Sequence, residues 1–131
     1  MQDSPEDRDN KFTIKPGSKI LIILDRRRRW IRVVEEDKRF HCNKGFFDYN
    51  EILGKPFGTS VKTNKSATLW IYFPTPTDEL MSISHSSQII YPKDAGLILL
   101  YGGIKNGSKV IEIGTGSGAL TSVLALSLIH I

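Results

Sequence analysis

The residues with the clearest chemical potential are Gly114-Thr115-Gly116-Ser117-Gly118. They follow Lys109-Val110-Ile111-Glu112-Ile113, which reads as a strand, and precede an uncharged segment from Ala119 that reads as a helix start. Glycines at alternate positions between strand and helix allow a sharp turn and close approach of backbone to a ligand, as a nucleotide-type cofactor needs. The spacing alone leaves more than one reading open. Gly114, Gly116 and Ala119 also satisfy the G-x-G-x-x-A dinucleotide form, so an NAD site fits, and so does a tight turn with no ligand.

Charge supplies a second candidate. The 131-residue chain has a formal net charge of +4. Residues 1–18 and 76–131 each sum to −1, so residues 19–75 carry an excess of +6. Its sharpest point is Arg26-Arg27-Arg28-Arg29. Clustered arginines attract polyanions, nucleic acid above all, through phosphate neutralisation and counterion release. A solvated loop is the plainer reading of the same run.

The elements that must position these groups fall into two styles. Ile20–Leu24 and Trp30–Val34 read as a hairpin with the arginines at its tip. Arg39–Cys42 and Phe46–Asp48 flank Asn43-Lys44-Gly45, which has tight-turn residues, and Thr68–Phe73 is a further strand ended by Pro74 and Pro76. Short strands at this spacing predict a small, barrel-like all-β domain over residues 19–76, after a loose N-terminus over 1–18. From residue 77 to 131 the grain changes to α/β. Pro92 and Asp94 mark a helix entrance, Ala95–Tyr101 a mostly buried helix, Gly102-Gly103 its cap, and Lys105–Ser108 a turn. Helix, strand, glycine loop and helix together open a parallel, Rossmann-like sheet.

Two strings carry a family resemblance: Gln88-Ile89-Ile90-Tyr91-Pro92-Lys93-Asp94-Ala95-Gly96, and Val110-Ile111-Glu112-Ile113 running on through the glycine loop to Ala119-Leu120-Thr121. With Gly54-Lys55-Pro56-x-Gly58, the chain over roughly residues 19–125 resembles the tRNA (adenine-N1)-methyltransferases. The resemblance implies a small N-terminal β domain followed by the truncated start of a Rossmann-like methyltransferase domain. It implies S-adenosylmethionine as cofactor, tRNA as partner, and a homo-oligomer, a tetramer in the family. Gly114, Thr115, Gly116, Ser117, Gly118, Ala119 and Leu120 would wrap the methionine part of the cofactor. Gln88, Ile90, Tyr91, Pro92 and Lys93 would form the second wall, with Tyr91 beside the target adenine. Glu112 would face the pocket from the strand end. The arginines at 26–29 would contact RNA, and no metal is implied. One departure is His85-Ser86-Ser87 before Gln88, where the family often has a basic residue and Thr.

In such chemistry adenine N1 displaces a sulfonium methyl in line, so alignment and exclusion of water are the main tasks. The adenine must leave its stack and rest on an aromatic wall. The family's catalytic carboxylate and ribose-binding acid come from later strands, so this chain is expected to be an inactive N-terminal fragment. Leu126-Ser127-Leu128-Ile129-His130-Ile131 is the translation of a transposase end used in DNA library preparation, and these residues are expected to be adapter-derived. A non-catalytic partner subunit and a protein carboxyl methyltransferase remain as alternatives. Cys42 is single, no leader opens the chain, and Ala119–Ile131 is too short to span a bilayer, which points to the cytoplasm.

Overall fold

A computed structural model describes residues 12–82 and 89–128. The chain divides into two compact units, Met1–Thr75 and Pro76–Ile131.

The first unit is built of strands β1 (Lys19–Ile23), β2 (Arg29–Val33), β3 (Arg39–Cys42), β4 (Gly45–Asp48), β5 (Thr59–Lys62) and β6 (Thr68–Tyr72). β1 and β2 form the expected antiparallel hairpin, with Ile22 opposite Trp30, and β3 pairs with β4 around Asn43-Lys44. Gly45 belongs to β4 and not to the turn, with φ +106°, and a Cβ there would run into Asn64 Oδ1.

The barrel expectation is not met. The strands make two antiparallel sheets, one in the order β2-β1-β6-β5 and one of β3-β4. A barrel must join its edges, but the chain turns away after β2. The β1–β2 pairing runs one residue further, with Val34 N–H donating to Ser18 O at 2.9 Å, and then Asp37 adopts φ 58° before β3 begins. The two sheets nonetheless share one apolar core. Ile20, Ile22, Leu69 and Ile71 of the larger sheet are 0% exposed and cluster with Phe40 and Phe47 of the smaller one. Inward residues at alternate positions, as in β6 with Leu69 and Ile71, are what a half-buried strand requires. Trp30, Phe40, Phe47 and Tyr49 stack in sequence at centroid distances of 5.3, 5.7 and 5.7 Å.

Thr63 is the polar stitch between the sheets. It is buried, and its Oγ1 donates to Lys44 O at 2.7 Å while accepting Ala67 N–H at 3.1 Å. Asn64 adds a reciprocal pair with Phe46: Asn64 N–H donates to Phe46 O, and Asn64 Oδ1 accepts Phe46 N–H, both at 2.9 Å.

Residues 12–18, expected to be loose with the rest of the terminus, are tied in. Ile14 is fully buried, donates its N–H to Lys55 O and accepts from Gly54 N–H, both at 2.9 Å. The Gly54-Lys55-Pro56 segment is thus the partner that holds Thr13 and Ile14.

The second unit contains α1 (Pro76–Ser82), α2 (Pro92–Tyr101) and α3 (Ala119–Leu128). Both α1 and α2 pack against α3. α2 begins and ends as expected, with Pro92 in its first turn and a glycine exit. Ile104 N–H reaches Leu99 O at 2.9 Å and Gly103 N–H reaches Leu100 O at 3.2 Å, with Gly103 at φ +60°, which is a Schellman closure.

Two expectations fail here. α2 is not mostly buried: Ala95 is its buried residue, while Leu100 is 75% and Tyr101 85% exposed. A helix this rich in apolar residues needs cover from several sides to be buried, and α3 covers it on one. Lys109–Ile113 is not a strand, and Ile111 and Ile113 are more than 90% exposed. A strand exists only through a ladder with a neighbour; the described residues of this unit contain no other strand to supply one.

Candidate cofactor site and basic hairpin tip

The glycine loop has the backbone that its composition demands. Gly114, Gly116 and Gly118 lie at φ +76°, +58° and +79°, the left-handed region that side chains disfavour. At Gly114 and Gly118 an added Cβ would meet nothing within 4 Å. Backbone conformation, not crowding, therefore requires glycine at those two positions, and the space beside them is open to a ligand.

The loop is closed at three levels. Gly118 N–H donates to Thr115 O at 3.0 Å. Gly118 O accepts both the N–H and the Oγ–H of Ser122, at 2.9 and 2.8 Å, which starts α3. Glu112 Oε2 accepts the Thr121 hydroxyl at 2.5 Å, so the residue before the loop is clasped to the first turn after it. Thr115 and Gly116 at the crest are exposed, Ser117 and Leu120 are half-buried, and Ala119 is buried as the seat of the helix.

The second wall is described in part. Gln88 lies outside the described residues, as do His85, Ser86, Ser87 and His130. Ile90 is half-buried. Tyr91 is the N-cap of α2 in extended conformation, with its carbonyl accepting from Asp94 and Ala95 N–H at 3.0 and 2.9 Å. Its ring is half-exposed, and Pro92 and Lys93 follow in the first turn. The tyrosine corner and the glycine loop therefore head two helices, α2 and α3, that pack together within one unit.

The arginine run sits where the sequence put it, at the tip between β1 and β2, and Arg29 opens β2. Asp25, which precedes the arginines, organises that tip. Its Oδ1 accepts Arg27 and Arg28 N–H, both at 2.9 Å, and its Oδ2 accepts Arg28 Nε at 2.6 Å. An aspartate followed by backbone donors two and three residues on is a turn-forming signal that was available in the sequence. The Arg28 side-chain bond, aided by the two backbone bonds, holds the Asp25 carboxyl at a pKa of about 2. Arg28 is thus occupied, and the exposed side chains of Arg26 and Arg27 make no ion pair among the described residues.

Cys42 is half-buried with a free thiol, and His41 is exposed against Phe46. Among the described residues no cluster of His, Cys, Asp and Glu could hold a metal, and no helix is long and apolar enough to cross a membrane.

Comparison with known proteins adds an independent line. The family described as "tRNA methyltransferase complex GCD14 subunit" matches residues 69–129. The tRNA (adenine(58)-N(1))-methyltransferase catalytic subunit TRM61 of Kluyveromyces lactis is 36% identical over 126 residues, covering 92% of this chain and 31% of that protein. The tRNA (adenine(57)-N(1)/adenine(58)-N(1))-methyltransferase TrmI of Methanocaldococcus jannaschii is 32% identical, covering 79% of this chain and 36% of that one. Among solved structures, a SAM-dependent O-methyltransferase from Thermotoga maritima aligns with TM-score 0.80 at 33% identity, over 91% of this chain and 44% of that one. The tRNA (m1A58) methyltransferase TrmI from Aquifex aeolicus aligns with TM-score 0.71 at 29% identity, over 88% and 45%. The chain spans about a third of the length of these two curated relatives.

Proposed function

Because this chain belongs to the tRNA (adenine-N1)-methyltransferase family, we propose that it is the N-terminal part of an enzyme that transfers a methyl group from S-adenosylmethionine to N1 of an adenine in tRNA. The observation that carries the reading is the clasped glycine loop, whose three glycines all adopt the left-handed conformation, with open space beside Gly114 and Gly118. A degenerate, non-catalytic partner would have no need to keep all three.

The residues fit the cofactor. Gly114 to Leu120 would hold its methionine portion with backbone groups, and the exposed crest at Thr115 and Gly116 leaves that backbone accessible. When bound, S-adenosylmethionine supplies the activated methyl group. The chain's own part is positional. Glu112 fixes the loop through Thr121, and Tyr91, with Ile90, Pro92 and Lys93 around it, offers a half-exposed ring as a wall for the flipped adenine. Lys109–Ile113 becomes the first strand of a parallel Rossmann-like sheet once neighbouring strands are present. The arginine tip contacts tRNA, and the enzyme works in the cytoplasm as a homo-oligomer. The carboxylate that receives the adenine amine comes from a part of the enzyme outside this chain.

The test is methyl transfer from labelled S-adenosylmethionine to unmodified tRNA by the full-length gene product, with the modified nucleoside identified. Label at adenine N1 is the expected result. Label on protein carboxyl groups would replace this reading with the carboxyl methyltransferase alternative.

A further inference from the structure

The outer face of the larger sheet presents aromatic side chains next to the arginine tip. Residues opposite one another in an antiparallel pair share a face. Ile23 is opposite Arg29 on one side and Trp70 on the other, and Leu21 is opposite Ile31 and Tyr72. Arg29, Ile23 and Trp70 therefore form one cross-strand row, with Ser60 completing it opposite Trp70. Trp70 and Tyr72 are 45% and 41% exposed, on the face away from the core residues Leu69 and Ile71. Two strand spacings separate Arg29 from Trp70, about 10 Å, which is close to the reach of one or two nucleotides. The row begins at Arg29, immediately after the tip that carries Arg26 and Arg27.

We propose that this face, Trp70 and Tyr72 with Arg26 and Arg27 at its margin, is a binding surface for single-stranded RNA. Trp70 stacks a base, and the two arginines meet the phosphates on its flank. The partner's chemistry follows from the combination. An apolar protein partner would explain the rings but not the +6 charge excess concentrated in residues 19–75. A double helix would explain the charge but offers no unstacked base to a tryptophan. A single strand uses both, since stacking is tolerant of sequence and phosphates supply the charge. Asp25 has a defined part: by engaging Arg28 and two backbone amides it sets the turn that presents Arg26 and Arg27. The proposal rests on the tRNA reading above for its biological context and deepens it.

The test uses the 131-residue chain and a labelled single-stranded RNA of about 12 nucleotides, read by fluorescence anisotropy across a salt series. Replacing Arg26 and Arg27 together by Ala is expected to weaken binding and lower the salt slope by about 1.4, the contribution of two single-strand phosphates. Trp70→Ala weakens binding about tenfold, while Trp70→Phe keeps most of the affinity and removes the RNA-induced quench of tryptophan fluorescence. Wild-type affinity in Trp70→Ala, or an undiminished quench in Trp70→Phe, overturns the proposal. Trp70→Ala that abolishes self-association and spares RNA binding assigns the face to a second copy and also overturns it. Failure of the full-length protein to methylate tRNA, with single-strand binding intact, would sink the enzymatic reading alone.

Discussion

Glu112 and Thr121, nine residues apart, are joined by a 2.5 Å hydrogen bond that spans the entire glycine loop. The loop is thereby held from outside itself. A run with three glycines would otherwise be the most freely varying stretch of the unit, because glycine loses more backbone freedom on ordering than any other residue. A charge-assisted bond between its two ends reduces the number of conformations that a ligand must select from.

Cutting that clasp is expected to loosen the crest without unfolding the helices. In Thr121→Val, amide hydrogen exchange at Thr115, Gly116 and Ser117 rises several-fold, while exchange within α2 is unchanged. Equal exchange in variant and wild type would mean the loop is rigid by its own turn bond, Gly118 N–H to Thr115 O.

Filling the crest has a different consequence. Gly116→Arg places a side chain at φ +58°, at a cost of about 1–2 kcal/mol of backbone strain, and puts its bulk where the cofactor backbone contacts are proposed. The full-length protein carrying it is expected to lose methyl transfer to tRNA while retaining its far-UV circular dichroism. Undiminished transfer would remove the loop from the cofactor site.

The hairpin tip makes a prediction about pH. The Asp25 carboxyl is held at about 2, below its ordinary 3.8. A lowered carboxylate pKa stabilises the folded tip above the unfolded value of 3.8, and that contribution is lost as pH falls from there through about 2. Carboxyl carbon shifts followed by NMR should give Asp25 a midpoint near 2, moving up towards 3.8 in Arg28→Ala. A wild-type midpoint near 3.8 would show the brace is not formed in solution.

Thr63→Val keeps the volume and removes the hydroxyl that joins Lys44 O to Ala67 N–H. Leaving buried partners unpaired costs about 1–3 kcal/mol. The melting temperature of the β unit is expected to drop by about 5 °C or more, and Asn64→Ala to act in the same direction. An unchanged melting curve for Thr63→Val would mean the shared core alone holds the two sheets together.

Local signals were readable and non-local ones were not. The β1–β2 hairpin, the Asn43-Lys44 turn, β6 before its prolines and both ends of α2 follow from turn residues, strand formers and caps lying side by side in the chain. β5 escaped because Thr59-Ser60-Val61-Lys62 has a single large apolar residue, and its pairing with β6 is what makes it a strand. The failure of the barrel has the same origin: closure depends on which edges meet, and the turn at Asp37 decides that. Lys109–Ile113 is the converse case, a strong strand former without a neighbour. Within the candidate site, the glycine loop was legible from motif spacing and Tyr91 was singled out by the family resemblance; the Asp25 brace was a local turn signal, whereas the Trp70 row needed the register.

The bare isoleucines at 111 and 113 have a practical meaning for anyone handling this chain. β-branched and presented almost entirely to water, they are adhesive in the way an uncovered sheet edge is, able to recruit like segments from other molecules. The polypeptide should therefore cloud or form soluble clumps as its concentration rises, and a single lysine placed at Ile111 should keep it clear.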